Sequence, residues 1–223
     1  SFYGSHIINC AGNGGALALN DENVINKAKL FRSWGRSSSL FDENSESIEN
    51  RFNVDLDGID YDAKFVFEEV GYNVEGNEVG ASFGLVQLKS LEKNINIRQN
   101  NFKIQSNFFN TLSEYFSIPK MKENHYTCWL AYPILINKNA PFNRKEFQIY
   151  LEKRLIQTRT VWAGNILRQP MCRNAEKRIN TRGYPNADAI MERGVLLPVH
   201  HGMTEEMYDR LHSTINEFIK TKC

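Results

Sequence analysis

Apolar positions recur at helical spacing through the middle of the chain. Leu88, Leu91, Ile95, Phe102, Phe109, Leu112 and Phe116 stand 3, 4, 7, 7, 3 and 4 residues apart, which puts them on one stripe of an α-helix. The spacing predicts one long core-packing helix, with Pro119 just beyond its end. Upstream, Gly14 and Gly15 precede Ala16-Leu17-Ala18-Leu19-Asn20, a short strand expected after a glycine turn. Asp21 suits the N-cap of a helix through Val24, Ala28, Leu30 and Phe31, ending near Gly35. Residues 36–63 are polar and irregular and read as a long surface loop, with a solvated acidic face over 42–50. Downstream, strands are expected at 126–136, 158–162 and 195–200, alternating with helices at 143–156, 186–193 and 204–222. Thr204 is the expected cap of the last helix, with Glu205 and Glu206 at the positive end of its dipole. The alternation predicts a small α/β domain after the long helix.

Composition narrows the class of function. The 223 residues carry 27 Lys+Arg against 26 Asp+Glu, a formal net charge of +1. With 41% hydrophobic and 24% charged residues, the chain reads as globular, which argues against a polybasic nucleic-acid binder and an acidic disordered segment. No apolar run approaches the ~18 residues of a membrane span, so neither nucleic acid nor membrane is an expected partner. Cysteines at 10, 128, 172 and 223 are too few and scattered for a secreted disulfide scaffold, and a reduced cytoplasmic setting is expected. The opening Ser1-Phe2-Tyr3 reads as chain already inside a core, so a further part ahead of Ser1 is expected.

Few residues carry chemistry on their own. There is no zinc-ribbon spacing and no phosphate loop ending in Gly-Lys-Ser/Thr. His200 and His201 are adjacent; on a strand they would face opposite ways and not share a metal, and no metal is expected. Gly12-Asn13-Gly14-Gly15 is either a plain turn or a cradle of backbone amides for a phosphate.

Four segments together go further: Ser1-Phe2-Tyr3-Gly4-Ser5-His6 with the later Gly14-Gly15; Leu30-Phe31-Arg32-Ser33-Trp34-Gly35-Arg36; Gly71-Tyr72-Asn73 leading into Gly84-Leu85-Val86-Gln87-Leu88; and Trp162-Ala163-Gly164-Asn165-Ile166-Leu167-Arg168-Gln169-Pro170. In order and spacing they resemble the DegT/DnrJ/EryC/StrS sugar aminotransferase family, fold-type I pyridoxal-phosphate enzymes acting on nucleotide-linked sugars. The resemblance implies an α/β fold, the C-terminal part of such a transferase. Residues 1–90 would end the large cofactor domain, 91–118 would form a connecting helix, and 119–223 the small α/β domain.

His6 stands where the family's aminotransferases carry the Lys that bonds to the cofactor aldehyde. Imidazole forms no such stable bond, so the resemblance points to the family's Lys-to-His branch, the sugar 3-dehydratases acting on CDP- or GDP-linked 4-keto-6-deoxy sugars. There the cofactor works as pyridoxamine 5′-phosphate, regenerated from pyridoxal 5′-phosphate with glutamate as amino donor. His6 would be the catalytic base that takes a proton from the cofactor carbon and returns it to the departing C3 hydroxyl, a task suited to an imidazole. By matching position, Ser1 would bind the cofactor phosphate, and Asn73 the phosphate in the neighbouring subunit of a homodimer with shared sites. Trp34, Arg36, Asn165 and Arg168 would line the sugar-nucleotide pocket, Arg36 meeting the diphosphate. The residues that pair with the pyridine nitrogen and stack on its ring would lie ahead of Ser1.

Four departures qualify the match. Residues 37–48 hold no Cys, so the iron–sulfur cluster of the CDP-sugar branch is not expected there, and the route would resemble that of the GDP-sugar enzymes. Ile7 replaces a second His, and Asn13 a Glu, with one extra residue between His6 and Gly14. The competing readings are an aminotransferase-like or reductase-coupled enzyme on a similar keto sugar, and a catalytically silent subunit that lends Asn73 to another chain.

Overall fold

The computed structural model describes residues 1–41 and 48–222. The chain divides into two compact units, Ser1–Lys89 and Ser90–Cys223. The acidic stretch expected at 42–50 falls mostly outside the described residues.

In the first unit, helix α1 spans Glu22–Arg32, and the Asp21 carboxylate accepts the Asn23 and Val24 amides at 2.9 and 3.3 Å. The expected cap is therefore formed, with Glu22 in the first turn and Lys29 and Arg32 in the last, each at the favourable dipole end. Residues 16–20 are irregular and mostly exposed instead of forming a strand. An alternating run holds a strand conformation only against a ladder partner, and among the described residues these have none. The expected loop over 36–63 contains more order than its polarity implied. A 3-10 turn at Ser37–Leu40 and a short helix α2, Ile48–Arg51, lead to the antiparallel hairpin β1 (Val54–Leu56) and β2 (Ile59–Tyr61). Asp57 and Gly58 form its two-residue turn at φ 54° and 87°, and the Asp55 carboxylate accepts the Gly58 amide at 2.9 Å. Asp-Gly between alternating strands is the sequence signal of such a hairpin. Helix α3, Glu78–Lys89, closes the unit.

The second unit holds nearly all of the core. Helix α4 runs Leu91–Asn110, so the single long helix expected over 88–116 is two helices parted at Ser90. Phe116 sits on strand β3 (Phe116–Ser117) and is still 2% exposed. A side chain delivered to the same core by an edge strand keeps the apolar pattern without keeping the helix. The sheet is completed by β4 (Tyr132–Ile136), β5 (Arg159–Thr160) and β6 (Gly194–Leu197), in the order β3-β4-β6-β5 with every pair antiparallel. Tyr132, Ile134 and Ile136 of β4 face inward by the period-2 rule. The strands are shorter than the apolar runs suggested, because residues 126–131 and 198–200 continue them without ladder bonds. Helix α5 spans Arg144–Glu152 with a reciprocal Asn143–Glu146 capping box. Helix α6 spans Pro185–Arg193, and α7 Glu205–Lys220 with Thr204 accepting the Met207 amide. Phe109, Phe116, Phe142, Phe147 and Phe218 form a ladder of edge-on and tilted ring contacts in the core. Among the described residues no helix is long and apolar enough to cross a membrane.

A polar chain threads between α4 and α7. Gln105, fully buried, donates to the Pro198 carbonyl at 3.1 Å, which leaves its amide oxygen to accept from His212 Nε2 at 3.0 Å. The His212 ring lies flat on Phe108, 3.8 Å between centroids. Burial pushes the imidazole down to about 4, against an opposing pull from Asp209. Between that value and the ordinary 6.5 the unfolded chain binds a proton that the folded chain refuses. Stability is therefore full above about pH 6.5 and falls as the pH drops toward 4, by up to about 3 kcal/mol from this group. Urea melts at pH 7 and pH 4.5 check this: His212→Gln narrows the gap between them, and an unchanged gap assigns the loss elsewhere. Burial also holds His200 and His201 low, and both contribute with the same sign.

Candidate active site

The first fifteen residues form a folded-back loop. The Phe2 amide donates to the Gly14 carbonyl at 2.8 Å, the Cys10 amide to the Phe2 carbonyl at 3.0 Å, and the His6 amide to the Tyr3 carbonyl at 2.9 Å. Gly12 and Gly14 hold φ of 102° and 106°, so the glycines serve the turn that returns the chain to Phe2. His6 is half-buried, its ring edge-on to Tyr3 at 6.0 Å. Its Nδ1 lies 3.1 Å from the Ser1 carbonyl oxygen. A carbonyl only accepts, so this contact places the proton on Nδ1 and leaves the Nε2 lone pair free. The exposed Ser1 hydroxyl accepts the Tyr3 amide at 3.4 Å.

A second cluster forms where 33–36 meets 67–74. The Trp34 amide donates to the Tyr72 carbonyl and the Tyr72 amide to the Phe31 carbonyl, each at 2.8 Å, while Ser33 bridges Asn73 and Arg36 bridges Phe67. Gly35 is at φ 84°, and a Cβ there would run into the Glu69 carbonyl; a Cβ on Gly71 would meet the Gly35 amide. Two glycines thus let the backbones touch. The Glu75 carboxylate takes the Ser33 hydroxyl and Arg32 Nε, the latter at 3.1 Å. Arg36 extends over the rings of Trp34 (4.9 Å), Phe65 (5.5 Å) and Phe67 (5.5 Å). Its Nε is buried without an acceptor, and among the described residues no carboxylate pairs with it. Three ring faces hold the guanidinium in place without neutralising it.

In the second unit, Asn165 and Arg168 converge on one residue of α6. Asn165 Nδ2 donates to Asp188 at 2.7 Å, and Arg168 grips the same carboxylate through Nε (2.5 Å) and Nη2 (2.9 Å). The Arg168 guanidinium, then the Asn165 amide, draws the Asp188 carboxyl down to about 2. Asn165 is buried and also caps the 3-10 turn Ile166–Arg168.

The description of the DegT/DnrJ/EryC1/StrS aminotransferase family matches residues 1–216. The chain belongs to this family. It is 29% identical over 220 residues to the lipopolysaccharide biosynthesis protein RfbH of Salmonella typhimurium, a match covering 98% of this chain and 50% of that one. It is 28% identical over 221 residues to the dTDP-4-dehydro-2,6-dideoxy-D-glucose 3-dehydratase of Saccharopolyspora spinosa, covering 98% and 47%. Among solved structures, the Escherichia coli GDP-4-keto-6-deoxy-D-mannose-3-dehydratase with bound hydrated PLP superposes with a TM-score of 0.74 at 20% identity, covering all of this chain and 53% of that one. The chain spans about half the length of the curated relatives it matches.

Within this family fold, Ser1 and His6 share one loop, and Trp34, Arg36 and Asn73 share one paired segment. Asn165 and Arg168 share a carboxylate. Phe65 and Phe67, which cage Arg36, had a faint signal in their alternation around Val66. Asp188 had none, since its partners lie 23 and 20 residues away in sequence.

Proposed function

We propose that this chain supplies the His6-bearing part of a pyridoxamine-phosphate-dependent dehydratase that removes the C3 hydroxyl of a nucleotide-linked 4-keto-6-deoxy sugar. The observation that carries this reading is His6 itself. It is an imidazole where an anchoring lysine would stand, with Nδ1 committed to the Ser1 carbonyl and Nε2 free to accept a proton. The donor set fits the cofactor, for the exposed Ser1 hydroxyl suits a phosphate and no lysine occupies the loop of residues 1–15. When bound, pyridoxamine phosphate supplies an amine for the sugar ketone and a conjugated ring that takes up an electron pair.

The chain's own residues do the rest. Nε2 of His6 takes a proton and hands it to the leaving hydroxyl, and the Nδ1 bond to Ser1 keeps the ring in the one tautomer able to do so. Arg36, held in its cage and with no carboxylate partner among the described residues, meets the diphosphate of the sugar nucleotide, and Trp34 flanks it. Asn73 reaches the phosphate of a neighbouring subunit in a homodimer. Asn165 and Arg168 shape the substrate-side loop through Asp188. Glutamate restores the amine. The aminotransferase alternative draws on relatives such as the GDP-perosamine synthase of Escherichia coli O157:H7, 22% identical over 222 residues; His6 weighs against it.

Borohydride treatment of the protein loaded with pyridoxal phosphate separates the two. The proposal expects no lysine adduct by mass spectrometry and cofactor lost on dialysis. A covalent lysine adduct would sink it.

A further inference from the structure

One corner of the second unit gathers hydrogen-bond donors and offers them almost no acceptor. Arg98, on α4, is only 4% exposed. Its Nη1 donates to the Trp129 and Leu130 carbonyls at 3.0 and 3.3 Å, while its Nε is buried with no partner. Among the described residues no carboxylate pairs with it. The Trp129 ring stacks on Phe102, one turn along α4, 4.0 Å between centroids, and its indole N–H is also buried without an acceptor. Asn101, three residues after Arg98, donates to the His200 carbonyl at 2.8 Å and so draws the 198–201 segment against the same face of α4. His200 Nδ1 accepts the Gly202 amide at 3.1 Å, which in the neutral ring leaves the proton on Nε2 as one more donor. His200 and His201 both feel the Arg98 charge, after burial, as a downward push; neither ring carries negative charge to offset it.

A buried guanidinium with an unsatisfied N–H is costly unless an acceptor completes it. By contrast, Arg168 is completed by Asp188 and Lys222 by Glu146. Here a guanidinium Nε–H and an indole N–H, both buried without an acceptor among the described residues, occur together on residues linked by a direct hydrogen bond.

We propose that the Arg98–Trp129–His200 corner binds a small oxyanion, a carboxylate or phosphate group. The anion sits on the guanidinium edge, with the indole N–H and a histidine N–H closing around it. Charge-assisted bonds of this kind suit planar carboxylate and tetrahedral phosphate alike. This site lies on the second unit alone and does not depend on the dehydratase reading.

Isothermal titration of the 223-residue chain at fixed ionic strength tests it, with inorganic phosphate in one arm, glutarate in a second and sodium chloride as control. The expected result is saturable one-to-one binding of phosphate or glutarate, the tighter arm naming the source of the oxyanion, and none of chloride. Trp129→Phe keeps the ring on Phe102 and removes the N–H, and affinity should fall about threefold or more. Arg98→Lys keeps the charge and loses the fork, and affinity should fall about tenfold. Should Arg98→Lys not fold, Trp129→Phe still decides. No saturable binding in either arm, or affinity unchanged in Trp129→Phe, overturns the proposal.

Discussion

His6→Asn is expected to lower turnover of a nucleotide-linked 4-keto-6-deoxy sugar by about 10²–10⁴-fold, the usual worth of a positioned general base. Asparagine is close to imidazole in size and can still donate an N–H to the Ser1 carbonyl, so the loop from Phe2 to Gly14 keeps its hydrogen bonds. It has no lone pair of comparable basicity to take the proton. Cofactor uptake should therefore survive, while kcat falls and KM for the sugar nucleotide changes little. Wild-type kcat in His6→Asn would remove the imidazole from the mechanism, and loss of cofactor binding alone would make it a structural residue.

Gly35→Ala should be the most damaging single methyl in the first unit. The new Cβ points into the Glu69 carbonyl, and the residue holds φ of 84°. Neither neighbour can step aside cheaply. The Gly35 carbonyl accepts the Glu68 amide at 2.8 Å, and Gly71 already sits against the Gly35 amide. Left-handed strain adds about 1–2 kcal/mol to a backbone clash, for a total loss on the order of 4 kcal/mol or more. Trp34 is its neighbour and is partly exposed, so intrinsic fluorescence during a thermal melt reads the loss where it arises. A Tm lowered by about 10 °C or more is expected. A shift within about 2 °C would mean that the two segments part without cost.

The parts legible in the sequence were those written in local chemistry. Asp21 and Thr204 cap their helices because a short oxygen-bearing side chain ahead of an amphipathic run has little else to do. The apolar stripe found the buried Phe102, Phe109 and Phe116, but it took in the exposed Leu88, joined α3 to α4 across Ser90 and carried the helix on to Phe116. Helical period identifies a face that is buried, and a turn plus an edge strand bury the same face. The hairpin at 54–61 was masked by its acidic surroundings, though Asp57-Gly58 marked it. At the candidate site, motif order singled out Ser1, His6, Trp34, Arg36 and Asn73 as expectations, and the structure sets Ser1 against His6 and the 33–36 segment against Phe67 and Asn73. The aromatic cage of Arg36 and the Asp188 anchor were not, since both depend on residues brought together from about twenty or more positions apart.

Two missing side chains on α3 set where the imidazole stands. Gly80 and Gly84 turn one bare strip of that helix toward the opening loop: a Cβ at 80 would meet the Cys10 carbonyl at 3.0 Å, and one at 84 would meet Cys10 Sγ at 2.6 Å. The loop is thus seated in a shallow notch, with Cys10 as its peg. An alanine at either position, or a bulky adduct on that thiol, would lift the peg and tilt His6 with it, so two absent methyl groups on α3 fix where the imidazole of the proposed function stands.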